Sequence, residues 1–347
     1  MSTSADGLRP HLRNLLRIGP HAGAHHVALR TGVSVGVPLI TLWAVDRLDW
    51  SLYAAFGAFT ALYGRSLVGA ARTRMQSSAA VTFVASVVLG TAIALAPAAP
   101  WVLVGAAALW AAIIALVSER FAWAPPGAIF QVFALGACAS APAVSGDLLP
   151  ALLVSAAVAV FALLVGLVPG GPVRDAAPLP SLGALLRRRE VRLHLLRYLL
   201  AAGIAGAIAT AIGLGHPYWA ALSAVVPLAA ADTAGRLLRA GQRLLGTFVG
   251  LAIAAAILAF HPSGLVAVLI AVALQVCAEL LVVRNYGIAL VFITPLALVM
   301  IGIAHPVDAA ALIQDRAIDT LLGVAVGMAL TLATHERRVQ ISGDDPR

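Results

Sequence analysis

Twelve apolar runs, most of them near the length that crosses a bilayer as a helix, divide this chain, and nearly every arginine falls in an alternate gap between them. The runs lie near 31–46, 51–64, 79–97, 101–117, 127–143, 149–168, 196–214, 218–231, 244–260, 264–283, 286–304 and 316–334. A bilayer core takes about 20 apolar helical residues to cross. With 61% hydrophobic and 11% charged residues, the composition excludes a soluble globule. The predicted fold is therefore all-α: a polytopic integral membrane protein of about 12 transmembrane helices in two parallel six-helix repeats. Several runs are short, so the true crossings number ten to twelve.

All 23 basic residues are arginine, and 21 of them fall on one side of this layout. Only Arg47 and Arg316 fall opposite. Loops rich in arginine stay cytoplasmic, so both termini are expected there, in the plasma (inner) membrane of a bacterium. The formal net charge of +8 then reflects topology and anionic lipid. Clustered basic and aromatic segments of the kind that bind nucleic acid are missing. The first run is followed by Asp46-Arg47-Leu48-Asp49 instead of a small-residue cleavage site, so it is expected to be retained. Cys138 and Cys277 both lie inside apolar runs and read as packing residues.

The sequence divides into a cytoplasmic segment at 1–30, a first membrane repeat at 31–168, a linker at 169–195, a second repeat at 196–334 and a tail at 335–347. Pro169-Gly170-Gly171-Pro172 and Pro178-Leu179-Pro180 break the helix pattern, and basic residues from Arg187 to Arg197 then alternate with leucines as in an interfacial helix. The repeats echo each other faintly. Trp50 precedes Arg74 by the same interval that separates Trp219 from Arg243. Six crossings per half return the chain to its starting side, which makes the repeats parallel.

Runs two and eight are both short and occupy matching places. Short or Gly/Pro-interrupted segments at matched positions point to a central site, because irregular backbone survives in a membrane only where it is buried or lines a cavity. On this basis Trp50 and Gly57, Trp219, Ser223 and Pro227, Gln131 in run five, and Thr294-Pro295 in run eleven are candidate pathway residues. Ordinary transmembrane helices also carry glycine and proline, so plain kinks are the competing reading. Arg236, Arg239 and Arg243 form one basic stripe, and with Arg74 they could attract an anion; topology alone also produces such stripes. Arg316 and Asp319, three residues apart at the start of run twelve, could form a structural ion pair or carry proton coupling. Glu279 in run ten reads as interfacial. Three His-Pro pairs, at 216–217, 261–262 and 305–306, read as loop-to-helix entries. Gly246-x-x-x-Gly250, with Thr247, and Gly323-x-x-x-Gly327 permit close helix packing. Catalytic motifs, metal-ligand clusters and cofactor fingerprints are absent from the sequence, so no enzyme activity, metal or cofactor is expected.

The second repeat resembles a known family. His216-Pro217-Tyr218-Trp219-Ala220-Ala221-Leu222-Ser223, then Arg236 and Gln242-Arg243-Leu244-Leu245-Gly246-Thr247-Phe248-Val249-Gly250, are similar to the fusaric acid resistance protein-like (FUSC) family. Asn285-Tyr286-Gly287, Phe292-Ile293-Thr294-Pro295 and Arg316-x-x-Asp319-Thr320-x-x-Gly323 extend the match over about 198–334. That family is similar to aromatic acid exporters and, more distantly, to plant malate channels. The resemblance implies efflux of small organic anions such as aromatic carboxylates, driven by the proton gradient, from a homodimer in the lipid bilayer. A passive organic-anion channel and a non-transporting membrane scaffold or envelope-assembly protein are the alternatives.

Overall fold

The computed structural model describes residues 17–21, 23–96, 99–168, 178–230 and 233–333. Arg9, Arg13, the Pro169-Gly170-Gly171-Pro172 segment, Arg174 and the whole tail at 335–347 lie outside the described residues, as does most of the N-terminal segment. Each apolar run is a helix: α1 (Ala24–Ala44), α2 (Ser51–Ala58), α3 (Gly69–Ala94), α4 (Ala99–Phe121), α5 (Ile129–Ser140) and α6 (Leu148–Gly166). The second set is α7 (Arg189–Ala211), α8 (Tyr218–Val225), α9 (Thr233–Ala259), α10 (Gly264–Leu281), α11 (Tyr286–Ala304) and α12 (Ala309–Ala333). A 3-10 turn extends α2 through Leu62 and another extends α8 through Ala229. Among the described residues there are no strands, and nine helices are long and apolar enough to cross a membrane. Of the other four described helices, α2, α5 and α8 are apolar but fall short, and the fourth is a short helix at Leu182–Arg187 ahead of α7.

Several helices begin earlier than hydropathy suggests. α3 starts at Gly69, α7 at Arg189 and α9 at Thr233, each taking in arginine-bearing turns that the apolar count leaves out. The backbone continues its hydrogen bonds past the point where the side chains become charged, so hydropathy marks the lipid edge and not the helix end. Run eleven also departs from expectation. α11 passes unbroken through Pro295, as α1 passes through Pro38. Pro295 is therefore no break in the path, contrary to the sequence reading.

Side-chain size sorts inside from outside. On α6 the buried positions include Ala151, Ser155, Ala159, Ala162 and Gly166, while Leu149, Leu152, Leu153, Val160 and Leu164 are exposed. A helix apolar on every face cannot use hydrophobicity to choose its partner in lipid, so small residues that let backbones approach decide the packing. Gly246 and Gly250 sit where a Cβ would run into the Gly287 carbonyl and Thr294 of α11. Gly323 and Gly327 stand likewise against the Ala220 and Ala224 carbonyls of α8. Thr247 is fully buried between them.

The contacts within the first six helices recur in the second six. α3 packs on α5 and α6 as α9 packs on α11 and α12, and α2 meets α6 as α8 meets α12. Between the halves, α1 leans on α10 and α7 on α4. The short helices end up innermost. Every residue of α2 from Ser51 to Ala58 and of α8 from Tyr218 to Val225 is buried.

Candidate functional site

Where the short helices stop, they leave a hollow. α2 and its 3-10 turn end at Leu62, α5 starts only after Pro125-Pro126, and a cavity of about 470 Å³ opens there, bounded by α1, α8, α9, α10, α11 and α12 as well. Helices too short to span bring backbone ends to membrane depth, which is tolerated where a cavity or other protein receives them.

The wall is mainly apolar. Phe56, Phe59, Phe130 and Phe133 line it, with Phe56 edge-on to Phe133 at 5.2 Å and Phe59 edge-on to Phe130 at 5.8 Å between ring centres. Against this stand four guanidinium groups, of Arg65, Arg239, Arg243 and Arg316, and one carboxylate, Glu279. The excess of positive charge makes the cavity attractive to an anion carrying an apolar body. Arg65, Ser66, Arg239 and Val282 mark its arginine-rich end. No described residue of the connections at the opposite end, 45–50, 141–147, 212–217, 260–263 or 305–308, lines it.

Three of these arginines have unspent hydrogen-bonding capacity or only weak partners. Arg243 is 2% exposed; its Nη2 donates to the Ser223 hydroxyl at 3.1 Å, its Nη1 lies 3.5 Å from the Tyr286 hydroxyl, and its Nε has no partner. Arg239 lies 5.5 Å from the centre of the Tyr286 ring. Arg316 rests 4.8 Å above the Trp219 ring, with Nε and Nη1 both unpartnered. Arg65 instead pairs with Glu279, whose Oε1 also accepts from Gln275 Nε2 at 3.3 Å.

The cavity lies among several of the helices that the sequence reading singled out, but other residues of them line it. None of Trp50, Gly57, Gln131, Trp219, Ser223, Pro227, Thr294 and Pro295 lines the cavity; Phe56, Phe130, Leu222, Ile293 and Leu296, next to five of them, do. Gly57 faces the Ser155 carbonyl of α6, and Gln131 exchanges hydrogen bonds with the Tyr63 hydroxyl. Thr294 packs on Gly250, and Pro227 is buried. Trp219 backs Arg316 and stacks on His216 at 4.8 Å; Trp50 lies under the Arg47 guanidinium. Of the anion-attracting set, Arg239 and Arg243 reach the cavity; Arg74 and Arg236 do not, and Arg236 Nε donates to the Ala230 carbonyl. Ser223 acts on the site indirectly, by holding Arg243.

Arg316 and Asp319 differ from expectation in two ways. α12 begins at Ala309, so both lie well inside the helix and are buried instead of standing at its outer end. They also make no ion pair: both Asp319 carboxylate oxygens lack any hydrogen-bond partner. The neighbouring acid takes the outer partner, as Asp315 Oδ2 lies 2.9 Å from His216 Nδ1. At that same end, burial holds half-buried His305 below the usual imidazole range, with the Pro306 carbonyl pulling the other way.

Sequence reasoning passed over Arg65 and the four phenylalanines as site residues, and it read Glu279 as interfacial. Phenylalanine in an apolar run gives no sign of facing a cavity and not lipid. Glu279 did carry a signal, because a carboxylate inside an apolar run needs a partner.

Apolar helices wrapped around an arginine-walled hollow define the class: a polytopic α-helical, multi-pass membrane protein. Residues 204–330 match the family model described as fusaric acid resistance protein-like, within the stretch from which the resemblance was read. That segment contains Arg239, Arg243, Glu279 and Arg316 and leaves out Arg65 and the four phenylalanines. A curated relative, the uncharacterized membrane protein YvaC of Bacillus subtilis (strain 168), is 33% identical over 169 residues, which is 47% of this chain and 27% of YvaC. The chain thus spans about a quarter of that relative's length. No solved structure matches it.

Proposed function

We propose that this protein exports small organic anions, aromatic carboxylates above all, across a bacterial plasma membrane, with its arginine-rich face and both termini in the cytoplasm. The observation that carries the reading is the cavity of about 470 Å³, where phenylalanine rings face under-partnered arginines. Its volume falls in the range of small-molecule sites, roughly 300–1,000 Å³. An aromatic carboxylate matches both halves of that wall. α5 and α11 begin beside the cavity, and their N-terminal ends add positive potential to the guanidiniums.

The proton gradient supplies the drive through its electrical component. Moving one negative charge out of an inside-negative cell gains about 2.3 kcal/mol per 100 mV. The matched contacts of the two halves support reading them as parallel repeats, which rock about the shared cavity. Because the hollow reaches Arg316, which Trp219 backs, and no connection at the opposite end, an alternating carrier fits better than an open pore. The family resemblance adds a homodimer to this reading, and no enzyme activity, cofactor or metal is part of it.

Inverted vesicles test the reading. Energised vesicles carrying the protein are expected to accumulate labelled benzoate, and a protonophore is expected to abolish the accumulation. No uptake across a panel of aromatic and aliphatic carboxylates would overturn it. Unitary conductance steps in a planar bilayer would move the protein to the channel class.

A further inference from the structure

The ion pair at the arginine-rich end of the cavity joins residues 214 positions apart in sequence. Arg65 follows the end of α2 in the first half, and Glu279 sits on α10 in the second. The Glu279 side chain is 7% exposed and that of Arg65 16%, so the pair forms part of the wall and not a solvated surface contact. It is also the one place where the cavity neutralises its own positive charge. Arg65, Arg239, Arg243 and Arg316 line the hollow, yet Glu279 is the single carboxylate among its described lining residues.

We propose that Arg65 and Glu279 form a selectivity latch at the cavity mouth, which a substrate opens by putting its own carboxylate in place of Glu279 on Arg65. The inference rests on the anion-transport reading above and names the residues that select within it. Glu279 holds Arg65 through Nη2, and a carboxylate entering from the cavity can grip the Nη1/Nη2 edge in bidentate fashion only by taking that nitrogen, so the resident and incoming groups compete for it. Neutral aromatic molecules of the same shape cannot displace Glu279 and leave the latch closed. Once displaced, Glu279 keeps its bond from Gln275, while Arg30 of α1, which donates to the Ala61 carbonyl at 2.9 Å, is a second cation whose charge acts on it. The remaining groups facing the exchange are Arg239 and Arg243 of α9 and the Tyr286 hydroxyl of α11. Because the latch spans the halves, its opening frees the segment that follows α2 from α10 as the anion enters.

Competition gives a sign that a structural ion pair does not. Benzoate and benzamide are titrated into the purified full-length protein by calorimetry. Glu279→Gln removes the competitor, so benzoate is expected to bind at least about 5-fold tighter than to the wild type. Arg65→Gln is expected to bind it at least about 10-fold more weakly and to lose the preference for benzoate over benzamide. Glu279→Asp keeps a carboxylate and is expected to stay near wild type, which guards against a folding defect. Unchanged or weaker binding by Glu279→Gln, with Glu279→Asp normal, overturns the latch and leaves the transport reading standing. If the wild type binds neither benzoate nor any other carboxylate tried, the transport reading falls and the latch with it.

Discussion

Arg243→Gln will cut benzoate uptake into energised vesicles by at least about 100-fold while leaving the protein folded. The side chain is 2% exposed and lines the cavity beside the phenylalanine rings, so a bound carboxylate there is shielded from water. Removing one member of a shielded ion pair costs about 3–5 kcal/mol, because the other charge is left without a partner. At 1.4 kcal/mol per factor of ten, the low end of that range already exceeds 100-fold. Arg243→Lys keeps the charge but loses the planar fork and the reach to Ser223, so it should fall between the two. Arg74→Gln is the control, since that arginine is off the cavity. Equal uptake by Arg243→Gln and Arg74→Gln would show that the cavity is not the anion's path.

The same substitution separates binding from folding. A buried guanidinium with Nε unpartnered is a liability to the folded bundle, as is Arg316 with two unpartnered nitrogens and Asp319 with two unpartnered oxygens. Sequences shed such groups when folding is all they serve, and sites retain them at a cost in stability. Arg243→Gln should therefore melt no lower than the wild type even as transport is lost. Arg72 shows the contrast. It is buried too, but its guanidinium donates to the carbonyls of Leu67 and Gly166, closing backbone ends that would otherwise stay open. One arginine completes the fold, and the other waits for a ligand.

How much of this was legible depends on what each signal measures. Hydropathy located the twelve apolar helices because lipid demands apolar side chains around a self-satisfied backbone. It missed the starts of α3, α7 and α9, where arginines already stand in the interface. The shortness of runs two and eight located the centre, since a segment too short to span must be enclosed. It could not say which face of α2 meets the hollow: Gly57 turns to α6, while Phe56 and Phe59 turn inward. Lipid and an apolar cavity wall ask for the same side chains, so no periodicity distinguishes them. The Arg65–Glu279 pair was hidden for another reason. Each residue alone reads as interfacial, and only the fold brings the segment after α2 to Glu279 of α10. Arg316 and Asp319 mislead in the opposite sense, because spacing along one helix permits a pair that the structure does not make.

Gly246→Leu will keep most of the protein from assembling, seen as loss of the monodisperse peak in detergent gel filtration and a lower melting temperature in what remains. α9 and α11 are the most closely apposed pair in the second half, and a Cβ on Gly246 would overlap the Gly287 carbonyl and crowd Leu290 Cβ. The obstacle is backbone, which cannot rotate away as a side chain end can. Adding methylenes to a filled core typically costs about 1–3 kcal/mol, and a leucine set against a carbonyl should exceed the top of that range. In lipid nothing offsets this, because helix association there rests on close packing and not on burial of apolar surface. Separating the two helices would also carry Gln242 away from Asn285 and Arg243 away from Tyr286, so any protein that folds should bind benzoate poorly. Gly105→Leu supplies the comparison. That glycine lies in α4 with no atom near its missing Cβ, and the added side chain would point into lipid. If both variants assemble equally well, the α9–α11 contact does not hold the second half together, and the placement of Arg243 needs another explanation.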